Sequence, residues 1–162
     1  YTVLGIASGL VLIAALAALM GVADFAHAAA LWGLLFTLVA AATRTASLVR
    51  NARLRPRSTL QSATGIHADR IVQTSMGMSA GAFNTREFFH GKPLWLVRRI
   101  KMASLLLTFA IPAILLSLVL VLEQPLWLFA AVVVQFIGLI GDRWFFFAQA
   151  RHPQNLYYQV VS

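Results

Sequence analysis

Four long apolar stretches, interrupted by one long polar segment, dominate the pattern of hydrophobic and polar positions along the chain. An α-helix needs about 20 apolar residues to cross about 30 Å of hydrocarbon, and each stretch approaches or exceeds that length. The stretches cover residues 3–22, 25–43, 102–122 and 126–147. We therefore predict an all-α fold, a polytopic helical membrane protein with four transmembrane helices in two hairpins and a long basic loop between them.

The same pattern divides the chain into four regions. The first transmembrane hairpin is expected over residues 1–48 and the second over residues 96–150. Between them, residues 49–95 are predicted to form a basic cytoplasmic loop that contains a short interfacial helix. The remaining residues, 151–162, are predicted to form a tail.

The composition agrees with this fold class. Apolar residues make up 60 % of the chain and charged residues 11 %, whereas soluble domains contain about 25 % charged residues. The chain has no cysteine, so we expect neither a disulfide nor an iron–sulfur cluster ligated by this chain. No two histidines fall at mid-membrane positions of different stretches, so haem ligation by a histidine pair is not expected either.

Basic residues are concentrated in the polar segment between the two hairpins. Eleven of the thirteen lysines and arginines lie between Arg44 and Lys101, where only Asp69 and Glu87 oppose them. Basic loops of this length stay on the cytoplasmic side of a bacterial membrane. We therefore predict a multi-pass protein of the bacterial cytoplasmic (inner) membrane, with this loop and the tail inside the cell. Orientation and lipid contact explain the charge, so nucleic-acid binding is not predicted.

Two features of the loop are candidates for contact with a partner. A basic run, Arg53-Leu54-Arg55-Pro56-Arg57, lies near its start, and Asn84 is placed to cap a short helix over residues 85–90. The simplest interpretation of the basic run is attraction to lipid headgroups. Lipid anchoring explains the whole loop poorly, so we predict that Arg53, Arg55, Arg57 and Asn84 dock a partner subunit.

The short loop helix also carries candidate chemistry. Glu87 and His90 are three residues apart and therefore lie on one face of the helix, with Arg86 beside them in the sequence. A carboxylate beside an imidazole at the bilayer surface can accept the hydroxyl protons of a quinol as its electrons leave. In the alternative interpretation, Glu87 only caps the helix, and His90 is a solvated residue favoured by the helix dipole.

Asp142 and Arg143 are ionisable residues inside the fourth apolar stretch. Each such group costs about 2.5–3.5 kcal/mol on insertion scales, so both are expected to face the bundle and to be paired. In one interpretation, Arg143 reaches the inner headgroups, and Asp142 caps the helix or pairs with a basic residue of the loop. In the other, Asp142 is a proton-relay or redox-site carboxylate, and both residues help to bind a quinol.

Small residues predict that the first two helices pack inside a larger bundle. The first stretch contains Gly5-x-x-x-Gly9 with Ser8 beside it, and the second is rich in alanine. Small side chains let helix backbones approach where lipid offers no hydrophobic drive for association. In the third stretch, Pro112 removes one backbone hydrogen bond and is expected to kink the helix.

Three sequence blocks, in order, resemble the C-terminal half of the dimethyl sulfoxide reductase membrane-anchor family. They are Leu54-Arg55-Pro56-Arg57-Ser58-Thr59-Leu60-Gln61-Ser62-Ala63-Thr64-Gly65-Ile66, Phe83-Asn84-Thr85-Arg86-Glu87-Phe88-Phe89-His90-Gly91, and Gly141-Asp142-Arg143-Trp144-Phe145-Phe146-Phe147-Ala148 followed by Asn155-Leu156-Tyr157-Tyr158. The resemblance implies a haem-free anchor that binds menaquinol and passes electrons to a ferredoxin-like iron–sulfur subunit. That subunit serves a molybdopterin catalytic subunit. Family members have about twice as many transmembrane helices.

The sequence therefore predicts a membrane-anchor subunit of a quinol-linked molybdopterin oxidoreductase. In this interpretation the chain helps to bind and oxidise menaquinol, while the iron–sulfur clusters and the molybdopterin belong to partner subunits. The alternatives are a small transporter and a structural or assembly subunit. A transporter would place polar groups near mid-membrane in both halves, whereas only Gln135 and Asp142 qualify here, both in one stretch.

Overall fold

The computed structural model describes residues 1–54, 59–71 and 94–148, and these residues contain helices and no strand. In chain order the helices are α1 (Thr2–Leu19), α2 (Ala23–Arg53), α3 (Leu60–Thr64), α4 (Leu94–Leu105), a π-helical segment (Leu106–Ala110), α5 (Ile111–Leu122) and α6 (Leu126–Ala148). Four helical spans are long and apolar enough to cross a membrane, because α4, the π segment and α5 form one continuous span over Trp95–Leu122. The predicted all-α membrane fold is confirmed.

The spans pack so that both hairpin turns lie at one end of the bundle. We call this end the turn side and the opposite end, from which the chain leaves α2 and enters α4, the loop side. Helix α1 packs against α2 and α6, while α6 also packs against α4, the π segment and α5. The fourth span thus packs against the first and third spans, and side-chain hydrogen bonds join it to the second.

Helix α2 is longer than its apolar stretch. The hydropathy pattern predicts a span that ends at residue 43, but the helix continues to Arg53, past the predicted region boundary at residue 48. Residues 44–53 contain no proline or glycine to end a helix. Hydropathy therefore predicted where the apolar stretch ends and not where the helix ends.

The buried residues of α6 recur at alternating intervals of three and four, which is the 3.5-residue pattern of a coiled-coil seam. They are Leu128, Ala131, Gln135, Gly138, Asp142 and Phe145. In α2 the same alternation includes Ala26, Ala30, Gly33, Thr37, Ala40 and Arg44. Most of these residues are small, so the helices approach closely, as packing within lipid requires.

Among the described glycines, Gly138 lies closest to a neighbouring helix. A Cβ atom added there would lie 2.4 Å from the backbone nitrogen of Thr108, and one added at Gly33 would lie 3.2 Å from Cγ2 of Val11. By contrast, a Cβ atom at Gly5 or Gly9 would meet nothing within 4 Å. The predicted Gly-x-x-x-Gly motif therefore lies away from the helix contacts made within the described residues.

The π-helical segment ends at Ala110, and Pro112 is the second residue of the α5 helix that follows. Proline has no N–H group, so it cannot donate to the carbonyl of Thr108, four residues earlier. That carbonyl instead accepts a hydrogen bond from Nε2 of Gln135 on α6, at 3.4 Å. The irregularity expected at Pro112 thus takes the form of a π segment, and it makes a backbone acceptor available inside the bundle.

Candidate functional site

A buried ion pair joins α2 to α6 on the loop side. Nε of Arg44 donates a hydrogen bond of 2.9 Å to Oδ1 of Asp142, and Nη2 lies 2.8 Å from the same oxygen. The side chains are only 8 % and 2 % exposed. Both residues occupy seam positions of their helices, which is why they meet although they are far apart in the sequence.

This pair leaves two polar atoms without hydrogen-bond partners among the described residues. Oδ2 of Asp142 is one, because both contacts of the guanidinium go to Oδ1. Nη2 of Arg44 is the other: it lies close to Oδ1, but the geometry does not make a hydrogen bond. The pair therefore contains one buried donor and one buried acceptor whose hydrogen-bonding capacity is not used by the described residues.

Tyr1 covers the pair from the loop side. Cζ of Arg143 lies 3.9 Å from the centre of the Tyr1 ring, and Cζ of Arg44 lies 5.4 Å from it. Phe146 packs edge-on against the same ring, with 5.5 Å between the ring centroids. Partial burial, followed by the negative charge of Asp142, raises the pKa of the Tyr1 phenol above its usual value. The phenol therefore stays a neutral hydroxyl at physiological pH.

A partly open cavity of about 120 Å³ adjoins the ion pair between α1 and α2. Leu4 and Ala40 form its apolar lining, and Tyr1, Thr43, Arg44 and Ser47 form its polar lining. A larger cavity, of about 450 Å³, lies on the turn side and is lined in part by Asp24, His27 and Glu123. Those three residues are exposed, whereas Arg44, the charged residue that lines the loop-side cavity, is buried.

A polar cluster lies deeper in the bundle. Nε2 of Gln135 is 3.5 Å from Oγ1 of Thr37 and 3.4 Å from the carbonyl oxygen of Thr108. Thr37 itself donates to the carbonyl of Gly33 at 2.7 Å. The hydroxyl of Thr108 is buried without a partner among the described residues. The cluster contains no ionisable group, so it links three helices without adding charge.

The structure brings two of the predicted site residues, Asp142 and Arg143, to the loop side. Asp142 pairs with a basic residue, but that residue is Arg44 of the α2 helix and not a residue of the loop, as one interpretation had expected. Arg143 is exposed and stacks on Tyr1. Sequence reasoning missed Arg44 as the partner because the apolar stretch ends just before it. The three-four spacing of small residues in α2, continued to Arg44, was the signal that could have found it.

The remaining predicted site residues contribute little to this description. Arg53 is exposed in the last turn of α2, where it borders a shallow groove with Arg50 and Leu54. The others lie outside the described residues; they are Arg55, Arg57, Asn84, Arg86, Glu87 and His90. Their proposed roles in docking and in quinol chemistry stay predictions.

The fold defines the chain as a helical, multi-pass membrane protein with a buried ion pair on its loop side. The chain is similar to a subunit of the sulfite dehydrogenase of Allochromatium vinosum, with 45 % identity over 159 residues. The alignment covers 98 % of this chain and 49 % of that protein, so the chain spans about half the length of this curated relative. No family model and no solved structure matches the chain. The resemblance to the dimethyl sulfoxide reductase anchor family therefore stays a prediction.

Proposed function

We propose that the chain forms part of the membrane anchor of a quinol-linked molybdopterin oxidoreductase complex. In this proposal it helps to bind menaquinol and to exchange electrons with an iron–sulfur subunit docked at the loop side. The observation that carries the proposal is the 45 % identity, over nearly the whole chain, to a subunit of a sulfite dehydrogenase. This chain has no cysteine, so the iron–sulfur clusters and the molybdopterin belong to partner subunits.

The loop side is the end at which this exchange is proposed to take place. Asp142 and Arg143 lie there, and the predicted proton-accepting and docking residues belong to the polar loop that connects α2 to α4. A buried carboxylate with one oxygen that has no hydrogen-bond partner among the described residues is a suitable acceptor for a quinol proton. The positive-inside argument gives the loop a cytoplasmic location, with the complex in the bacterial inner membrane.

The direction of electron flow has two candidate forms. The sequence resemblance implies oxidation of menaquinol by the complex. The name of the relative favours the reverse direction, because a sulfite dehydrogenase removes electrons from sulfite and must pass them to an acceptor, for which a membrane quinone is suited. Both directions use the same pocket, proton acceptor and iron–sulfur partner.

Purification of the complex from native membranes tests the proposal. We expect an affinity-tagged version of the full-length protein to co-purify with a cysteine-rich iron–sulfur polypeptide and a large molybdopterin polypeptide. The purified complex should either oxidise a menaquinol analogue or reduce a menaquinone analogue. Membranes from a strain that lacks the protein provide the control, and there the quinone-linked activity should disappear.

Purification of the protein without redox partners would contradict the proposal. Substrate movement across vesicles containing the protein alone would favour the transporter alternative. The structure gives that alternative little support, because the polar residues at mid-membrane, Thr37, Thr108 and Gln135, are neutral and tightly packed.

A further inference from the structure

The Arg44–Asp142 pair presents one unused donor and one unused acceptor to the same region. Nη2 of Arg44 and Oδ2 of Asp142 are both buried, and neither makes a hydrogen bond within the described residues. Buried polar atoms in native proteins are almost always bonded to protein, to ordered water or to a ligand. A single group that accepts a hydrogen bond from Nη2 and donates one to Oδ2 would satisfy both atoms at once.

The cavity between α1 and α2 gives such a partner access to Arg44. Its apolar lining, at Leu4 and Ala40, lies toward the membrane interior. Its polar lining continues along α2 as far as Ser47, which is about 10 Å from Ala40 along the helix axis. An enclosed cavity of about 150 Å³ holds a whole benzene molecule. The present cavity, of about 120 Å³ and partly open, accommodates the oxygen-bearing edge of a six-membered ring.

We propose that the oxygen-bearing edge of a quinol ring enters this cavity and places one hydroxyl group between Arg44 and Asp142. This inference rests on the proposed function and identifies where, among the described residues, its substrate is held. A quinol hydroxyl accepts from Nη2 through its oxygen and donates to Oδ2 through its proton, so a single group satisfies both atoms. An ionised phosphate of a lipid only accepts hydrogen bonds, so it fits Arg44 and is repelled by Asp142.

The arrangement also supplies a proton acceptor for the redox step. When the quinol is oxidised, its O–H bond breaks, the proton passes to Oδ2 of Asp142, and two electrons pass to the iron–sulfur clusters of the partner subunit. The resulting carbonyl oxygen continues to accept a hydrogen bond from Arg44. The second hydroxyl loses its proton to water. Reduction of a quinone reverses each of these transfers.

Two groups of variants, made in the purified complex in lipid nanodiscs, test the binding site. Asp142→Asn keeps the shape of the side chain and removes the proton acceptor, so turnover of a menaquinol analogue should fall about 10²–10⁴-fold. Its KM should change much less than its kcat. Thr43→Leu and Ser47→Leu fill the cavity from positions that are not buried in the helix seam and leave both charges in place, so they should weaken binding of a fluorescent quinol-analogue inhibitor at least about tenfold. Ala42→Leu, on the exposed face of the same helix, is the matched control.

The outcomes separate this inference from the proposed function. Two results would overturn the binding site and leave the proposed function standing. One is turnover by Asp142→Asn at the wild-type rate. The other is inhibitor binding by both cavity variants with the wild-type affinity. In that case the cavity holds ordered water only. Loss of a tightly bound phospholipid from Thr43→Leu, with inhibitor binding unchanged, would likewise overturn it in favour of a lipid site. Absence of quinol and quinone turnover in the wild-type complex would overturn both.

Discussion

The turn-side and loop-side halves of the bundle are stabilised by different interactions. The turn-side half contains the larger apolar cluster, which packs without buried charge and consists of Val11, Ala14, Ala15, Ala29, Ala30, Leu116, Val119, Leu128 and Ala131. In the part of the chain that the structure describes, the buried residues of the loop-side cluster are Leu4, Ala40 and Phe109, and the ion pair lies beside them. The difference shows that the interior of one half is packed by apolar side chains alone, whereas the interior of the other combines a buried ion pair, an adjoining cavity and unused hydrogen-bonding capacity. The second combination is typical of a ligand site.

Removal of one charge should have the largest effect, and it should be confined to the loop side. Asp142→Ala leaves the guanidinium of Arg44 without its counter-ion, which costs about 3–5 kcal/mol for a buried pair. The lower end of that range is expected because Arg44 can extend toward the loop-side surface. Unfolding in mixed micelles of increasing sodium dodecyl sulfate content measures the free energy of the change.

The double variant Arg44→Met with Asp142→Leu is the control for this prediction. It replaces both charges with apolar groups of similar size, so its stability should return close to that of the original protein. A double variant as unstable as Asp142→Ala would show that packing, and not an unbalanced charge, causes the loss.

Added volume should have the second largest effect, on the turn side. Ala30 is completely buried in the apolar cluster, so Ala30→Leu overpacks the seam and should cost about 1–3 kcal/mol. Ala28→Leu, on the exposed face of the same helix, should be nearly neutral. Equal losses for the two variants, measured by the same unfolding assay, would contradict the assignment of this half to steric packing.

Loss of the deep polar cluster should have the smallest effect. Gln135→Leu removes two long interhelical contacts of 3.5 and 3.4 Å, and polar contacts between transmembrane helices contribute about 0.6 kcal/mol on average. The same assay should therefore show a change below about 1 kcal/mol. A loss comparable to that of Asp142→Ala would mean that the polar contribution extends to mid-membrane and that the contrast between the two halves is smaller than their packing suggests.

Hydropathy predicted the class of fold well because insertion into lipid imposes the same demand on every span. The four apolar stretches correspond to the four helical spans, and the basic segment lies between the second and third of them. Hydropathy missed the continuation of α2 beyond the apolar stretch, since helix formation does not require a membrane. It also missed the π segment, which depends on how the missing N–H of Pro112 is compensated by neighbouring helices.

The site was harder to predict because it depends on which helix faces meet. Asp142 was recognised from the cost of placing a carboxylate among apolar residues, but its partner depends on the register of α2 against α6. Gly5 and Gly9 matched a familiar packing motif, whereas the described glycine closest to a neighbouring helix is Gly138, which belongs to no such motif. A search for alternating three-four spacings of small residues would have predicted both the seam and Arg44.

Helix α2 also fixes the distance between the ion pair and the end of the helix at Arg53. Its 31 residues extend for about 46 Å, compared with about 30 Å of hydrocarbon, so part of it projects beyond the apolar core. From Arg44 to Arg53 the helix is continuous over about 14 Å. Any body that rests on its last turn is thereby held at a fixed height above the ion pair and at a fixed angle around the helix axis. One inserted residue in this interval would raise that body by about 1.5 Å and rotate it by about 100°.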